Sequence, residues 1–115
     1  MKIWVDGAGA LLANQNGRAC VVFDNDKPKV WRYGKATNNE MEYQALLNAL
    51  LDERSKEATI FTDSRLLVGQ LTKGWKVKAP NLRKINIKCL KMLKERKAKL
   101  LWIPREENKA GKVLE

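Results

Sequence analysis

The chain has 115 residues, 44% hydrophobic and 31% charged, a length and balance that suit one domain with its own core. It contains no histidine, which excludes His-based triads and His-rich zinc sites. Net charge is +10, and its placement says more than its size: residues 73–115 carry 14 Lys/Arg against 4 Asp/Glu, while residues 1–72 carry 9 against 9. A one-sided basic region is the footprint expected for a phosphate backbone, although a solvated lysine-rich face would also look so. No apolar run approaches the roughly 20 residues that span a bilayer. The start MKIWVDGAGA turns acidic too early for a signal peptide. Cys20 and Cys89 have no CxxC spacing and read as buried thiols of a reducing compartment, so a cytoplasmic protein is expected.

In chain order, KIWVD is a strand candidate, rich in β-branched and aromatic residues. GAGALLANQNGR follows as a loop or strand entry, in which Asn16-Gly17 is the strongest hairpin signal. RACVVFD reads as a second strand, DNDKP as a turn and KVWRYG as a third strand, which together make an antiparallel meander. Residues 39–53 then switch to helical periodicity, with Met41, Ala45, Leu46, Ala49 and Leu50 on one stripe. ATIFTD is a short run of buried-strand type. SRLLVGQLTKG is a helix started near Asp63 or Ser64 and stopped by Gly74. Pro80 opens a long basic helix whose inward face is expected to hold Leu82, Ile85, Cys89, Leu93 and Met92. KLLWIP is the last strand, and REENKAGKVLE a short terminal helix or turn. No repeat or linker interrupts this series, so a single domain over residues 1–115 is expected, an α/β mixed sheet mostly covered by helices.

Three carboxylates end up at element boundaries. Asp6 closes the first strand, Glu42 lies in the first helix turn, and Asp63 closes the fourth strand. Each has a local explanation. Asp6-Gly7 is turn chemistry, and Asp63 can cap the next helix. Asn38 or Asn39 can cap the first helix, with Glu42 completing a capping box from Asn39. These explanations leave the coincidence unexplained. If the first and fourth strands are neighbours, both aspartates emerge at one sheet edge, where sites form in α/β sheets. Three carboxylates without histidine suit Mg²⁺ or Mn²⁺ and not zinc.

WVDGAGA, TNNEMEYQALLNAL, IFTDSRLLVGQL, GWKVKAPNL and LWIPREEN occur in the order and spacing of ribonuclease H, type 1, and the chain resembles its short bacterial and archaeal forms. The resemblance spans essentially the whole chain. It implies a ribonuclease H-like fold, a five-stranded sheet of order 3-2-1-4-5 with helices on both faces. It also implies an endonuclease that cuts the RNA strand of an RNA/DNA hybrid, leaving 5′-phosphate and 3′-hydroxyl ends, with no obligate protein partner and a monomeric chain. Two Mg²⁺ or Mn²⁺ ions would serve as cofactors; phosphodiester hydrolysis can use two ions about 3.5–4 Å apart. By resemblance Asp6 bridges both ions, while Glu42 and Asp63 bind the leaving-group ion.

The resemblance also assigns nucleic-acid contacts. Gly7, Ala8, Asn38, Asn39, Glu42 and Arg65 would read the RNA strand and its 2′-hydroxyls. Thr37 with Lys35 would grip a DNA-strand phosphate, and Trp75 would line the DNA channel, with Lys76 and Asn81 beside it. Leu71 stands where longer members carry a second tryptophan. The basic handle hairpin of some relatives is missing, leaving Lys73, Lys76, Lys78, Arg83, Lys84 and Lys88 to supply phosphate contacts.

One departure stands out. The family's fourth carboxylate, in an N-x-x-A-D segment, has no counterpart in REENKAGKVLE, where Ala110-Gly111 meets the Ala-Asp pair. Asn108 is the leading candidate for the fourth ligand, with Glu106, Glu107 and Glu115 as alternatives and helix capping as its plain role. Arg105 stands where many members carry a mobile histidine and would act through charge, since an arginine cannot shuttle protons near neutral pH. Two other readings remain: a binding module of the same fold with a weakened site, and a related nuclease acting on double-stranded RNA or DNA.

Overall fold

The computed structural model describes every residue except position 13. Three strands come first, β1 (Lys2–Ala8), β2 (Gly17–Phe23) and β3 (Lys29–Tyr33), followed by helix α1 (Asn38–Leu51). Next come β4 (Thr59–Thr62), α2 (Arg65–Thr72), α3 (Pro80–Arg96), β5 (Lys99–Trp102) and α4 (Lys109–Leu114). Single 3₁₀ turns at Glu53–Ser55 and Arg105–Glu107 precede β4 and α4.

The sheet order is β3-β2-β1-β4-β5, as the resemblance implied. β1 pairs antiparallel with β2 and parallel with β4, and β4 pairs parallel with β5. Asp6 therefore sits on the central strand, opposite Cys20.

Strand alternation splits β1 between two faces. Ile3 and Val5 join Val21, Phe23 and Ile60 under Leu46, Leu50 and Cys89 of α1 and α3. Each of these large side chains is almost wholly enclosed, a burial that contributes about 1.5–3 kcal/mol apiece. Trp4, Cys20 and Val22 face the other way, against Ala110 and Leu114 of α4. Helices thus cover both faces, but unequally: α1 and α3 build the large core, and the six-residue α4 covers the other. Among the described residues, no helix is long and apolar enough to cross a membrane.

Sequence and structure differ in three places. Asn16-Gly17 forms no two-residue hairpin, because β1 runs on to Ala8 and the connection spans residues 9–16. Gly17 belongs to β2, and a Cβ there would come within 2.9 Å of the Met41 sulfur, so its small size admits α1. In α3, Asn86 is buried where Ile85 was expected, and Ile85 and Met92 are only half-buried. Asn86 Nδ2 donates to the Tyr43 hydroxyl (2.9 Å), which donates to Gln70 Oε1 (2.7 Å), so a polar relay ties three helices together. Finally, α1 begins one residue earlier than its periodicity suggests and ends at Leu51.

Candidate active site

Each of the three carboxylates is free of the local task its position suggests. At α1 the cap is Thr37: its Oγ accepts from Glu40 N (3.1 Å), and Glu40 Oε1 accepts from Thr37 N (2.9 Å). That reciprocal box belongs to Glu40 and corrects the expected pairing of Asn39 with Glu42. Asn38 instead uses its side-chain oxygen to accept from Gly9 N at 2.7 Å, fastening the helix start to the end of β1. At α2 the cap is Ser64, whose Oγ accepts from Leu67 N (3.1 Å), so Asp63 is not needed there. Gly7 completes the arrangement. A Cβ on it would collide with the backbone of Met41 and Glu42, so only glycine lets α1 approach β1 this closely.

The result is one cluster. Ligand oxygens of Asp6, Glu42 and Asp63 all lie within 4.8 Å of one another. Asp6 is 3% exposed, and its carboxyl is pushed up to about 7, chiefly by burial, then by the charges of Asp63 and Glu42. Glu42 is also raised, first by burial, with the Ser64 hydroxyl pulling it back and Asp63 adding repulsion. Arg105 provides the local counter-charge, its Nη1 lying 3.5 Å from Asp63 Oδ2 while its side chain stays largely exposed. One oxygen of Asp6 is buried without any hydrogen-bond partner. A buried carboxylate oxygen left bare beside two further carboxylates is costly unless a cation meets it. Hard oxygen donors with no imidazole fit Mg²⁺ or Mn²⁺. Cys20 does not compete as a soft ligand, since burial pushes its thiol up to about 11.

Asn108 takes the plain role open to it, as the cap of α4. It is fully buried, its Oδ1 accepts from Ala110 N (3.1 Å) as the cap of α4, and its Nδ2 donates to Val5 O (3.0 Å). The α4 residue that faces the cluster is Gly111: a Cβ there would lie 3.5 Å from Asp6 Oδ2, at ordinary van der Waals distance. Gly111 thus brings no side chain to this side of the cluster. Glu106, Glu107 and Glu115 are exposed and do not join the cluster.

Two hollows collect several of the residues expected to contact nucleic acid. Thr37 and Asn38 line a concavity of about 210 Å³ with Gly9, Leu11 and Ala36, and Lys35 and Asn39 are exposed close by in the chain. Trp75, 48% exposed, shares a second hollow with Arg65, Val68, Lys73 and Trp102. Trp102 gave no functional signal in sequence, since KLLWIP reads simply as a strand. Its ring stacks under the Arg65 guanidinium (4.3 Å to the ring centre), and its Nε1 donates to Asp63 O (3.1 Å). Lys76 and Asn81 are exposed at the end of that segment and on the first turn of α3. Gly7 and Ala8 are half-buried at the end of β1.

The sequence model of the RNase H family matches residues 1–110. A bifunctional protein of Mycobacterium tuberculosis is 33% identical over 94% of this chain, which spans about a third (33%) of that relative's length. Among solved structures, an RNase H1 isolated from compost by a metagenomic approach superposes with a TM-score of 0.82 at 31% identity, covering 98% of this chain and 90% of that one. The RNase H1 of the halophilic archaeon Halobacterium salinarum gives 0.78 at 27%, covering 98% and 92%. LC11-RNase H1 solved in complex with an RNA/DNA hybrid gives 0.77 at 28%, covering 99% of both chains.

Proposed function

The chain belongs to the RNase H family, and on that premise we propose that it is a metal-dependent endonuclease hydrolysing the RNA strand of RNA/DNA hybrids. The observation that carries this reading is the buried, partnerless oxygen of Asp6 within the cluster it forms with Glu42 and Asp63. That arrangement is wasteful in a binding module and useful around a divalent ion. A relative's structure with a hybrid bound supports the choice of substrate.

Asp6, Glu42 and Asp63 would hold the metal, which when bound supplies charge to activate a water and to stabilise the departing oxygen. The protein's own groups do the rest. Burial keeps Asp6 in place and dry, so interactions at the reacting phosphate are weakly screened. Arg105 stays exposed beside Asp63 and offers a mobile positive charge to the phosphate or the leaving product. Asn38 and Asn39, exposed at the start of α1, would meet the 2′-hydroxyls that distinguish RNA from DNA. Trp75 offers a flat face to the uncut strand, with Lys73 adding charge there, while Arg65, stacked on Trp102 in the same hollow, keeps its expected place toward the strand being cut. Products with 5′-phosphate and 3′-hydroxyl ends follow from attack on the face opposite the leaving 3′-oxygen.

Gly111 favours a second reading, a hybrid-binding module of weakened activity, because it leaves one side of the cluster with fewer charges. One gel assay separates the two. Labelled hybrid, double-stranded RNA and double-stranded DNA are incubated with Mg²⁺ or Mn²⁺. Hybrid-selective cutting of the RNA strand supports the nuclease; binding without any divalent-dependent cut supports the module; cutting of double-stranded RNA at equal rate refutes hybrid selectivity.

A further inference from the structure

Beside the carboxylates, on the same face of the sheet, lie two arginines that no step above uses. Arg18 of β2 is the direct cross-strand partner of Arg32 of β3. Arg18 Nη2 donates to Leu114 O at 3.1 Å, which places its side chain on the α4 face. Gly111 approaches Asp6 from that face as well. Because β1 and β2 are in register with Ala8 opposite Arg18 and Asp6 opposite Cys20, Arg18 stands two residues along and one strand over from Asp6. Arg32 stands one strand further. From strand geometry these offsets are about 8 Å and about 12 Å between backbone positions, a span that a few nucleotides of one strand cover.

Like charges directly opposite one another weaken a sheet, and among the described residues neither arginine has a carboxylate partner. The two open onto a concavity of about 470 Å³, lined also by Gly9, Ala10, Asn14, Gln15 and Asn16. Paired guanidinium forks match phosphate oxygens, and side-chain amides can meet sugar hydroxyls. The Leu114 carbonyl fixes one fork in advance, which lowers the entropy lost on binding. Gly9 links this hollow to the start of α1, since its N–H is held by Asn38 and it also lines the Thr37 concavity.

The geometry points to an accessory phosphate track, Arg18 then Arg32, that holds the strand being cut just beyond the carboxylate cluster on its β2–β3 side. This rests on the proposed hybrid substrate and adds a binding site to it, one that the basic residues of 73–115 do not supply.

The test is binding of a labelled hybrid in EDTA, which suppresses cutting, over a range of salt. Arg32→Gln is the main variant, because Arg32 is exposed and its loss spares the fold. Arg18→Gln is read alongside with circular dichroism, since it also releases the Leu114 carbonyl. Arg32→Gln should weaken binding by about three- to tenfold at low salt and reduce the salt slope by about one. With Mg²⁺ present, KM should rise while kcat holds, and the difference should vanish on a hybrid trimmed to end at the cleavage site on this side. Superposed parent and Arg32→Gln salt curves would overturn the track alone. A parent protein that fails to bind hybrid would remove the proposed function and the track together.

Discussion

Two helix starts converge on Asp6, and they are built in opposite ways. At α1, capping is a closed exchange between Thr37 and Glu40, which leaves Glu42 free to face Asp6 and Asp63. At α4, Asn108 is fully buried and holds backbone through both its amide oxygen and its amide nitrogen, and Gly111 brings no side chain to the cluster. The first start separates the structural task from the chemical one. The second has only the structural task. What a residue beside a site can contribute depends on which of its atoms the fold already uses.

The largest effect should come from the α1 side. Asp6→Asn and Glu42→Gln should each lower single-turnover cleavage of hybrid by about 100-fold or more, with circular dichroism unchanged, because charge at the reacting phosphate is lost. A loss under tenfold for Asp6→Asn would break the contrast at once.

The next effect concerns the metal-free protein. The Asp6 carboxyl is raised from 3.8 to about 7, so the folded chain keeps a proton that the unfolded chain releases across that window. By linkage, its contribution is fully present below about pH 4 and is lost as pH rises through about 7, an amount of about 2–4 kcal/mol. Thermal melts in EDTA should therefore show this decline superimposed on other titrations. Asp6→Asn should flatten it, and Mg²⁺ should raise the melting temperature at pH 8 more than at pH 5. A melt in which Asp6→Asn and the parent respond identically to pH would show that the burial of Asp6 carries no such cost.

The α4 side should behave differently under mutation. Asn108→Ala leaves the Val5 carbonyl and the Ala110 N–H without partners, and should cost about 2–3 kcal/mol in denaturant unfolding. The Mg²⁺ concentration for half-maximal cleavage should not move. Gly111→Asp should do the reverse, lowering that concentration about tenfold, which is about 1.4 kcal/mol of added attraction, with little change in fold. Should Asn108→Ala shift the metal dependence and Gly111→Asp leave it alone, the two assignments would have to be exchanged.

The smallest effect separates neighbours on one helix. Glu40→Ala should cost about 0.5–1 kcal/mol of stability through the lost capping box while kcat stays at the parent value, the opposite of Glu42→Gln.

Much of this was legible in the sequence. Alternation in KIWVD and RACVVFD and the helical stripe from Met41 to Leu50 led to the strands and the first helix, the family resemblance supplied the sheet order, and carboxylates at strand ends pointed to the cluster. What escaped was decided by contacts between distant segments. Whether Asn39 or Thr37 caps α1 is a shift of two residues, and both have side chains able to cap; the packing of Gly7 and Gly9 against the helix start favours Thr37. Gly17 looked like a turn residue because its real reason, the Met41 side chain, lies in another element. Gly111 was passed over for Asn108 because an amide oxygen looks like a ligand and a glycine does not. Only the placement of α4 across the sheet shows which of the two faces Asp6. Arg18 and Arg32, fourteen positions apart, become a pair only through strand register.

The central claim, that the three carboxylates form a divalent-ion site, is tested most directly by titrating the isotopically labelled protein with Mn²⁺ at pH 8 and following paramagnetic broadening of its amide signals. Gly7, Glu42, Ser64 and Gly111 should broaden first and together, and Asp6→Asn should abolish this at the same Mn²⁺ concentration. Broadening centred instead on the Asp26, Asp52 and Glu53 surface, unchanged by Asp6→Asn, would contradict it.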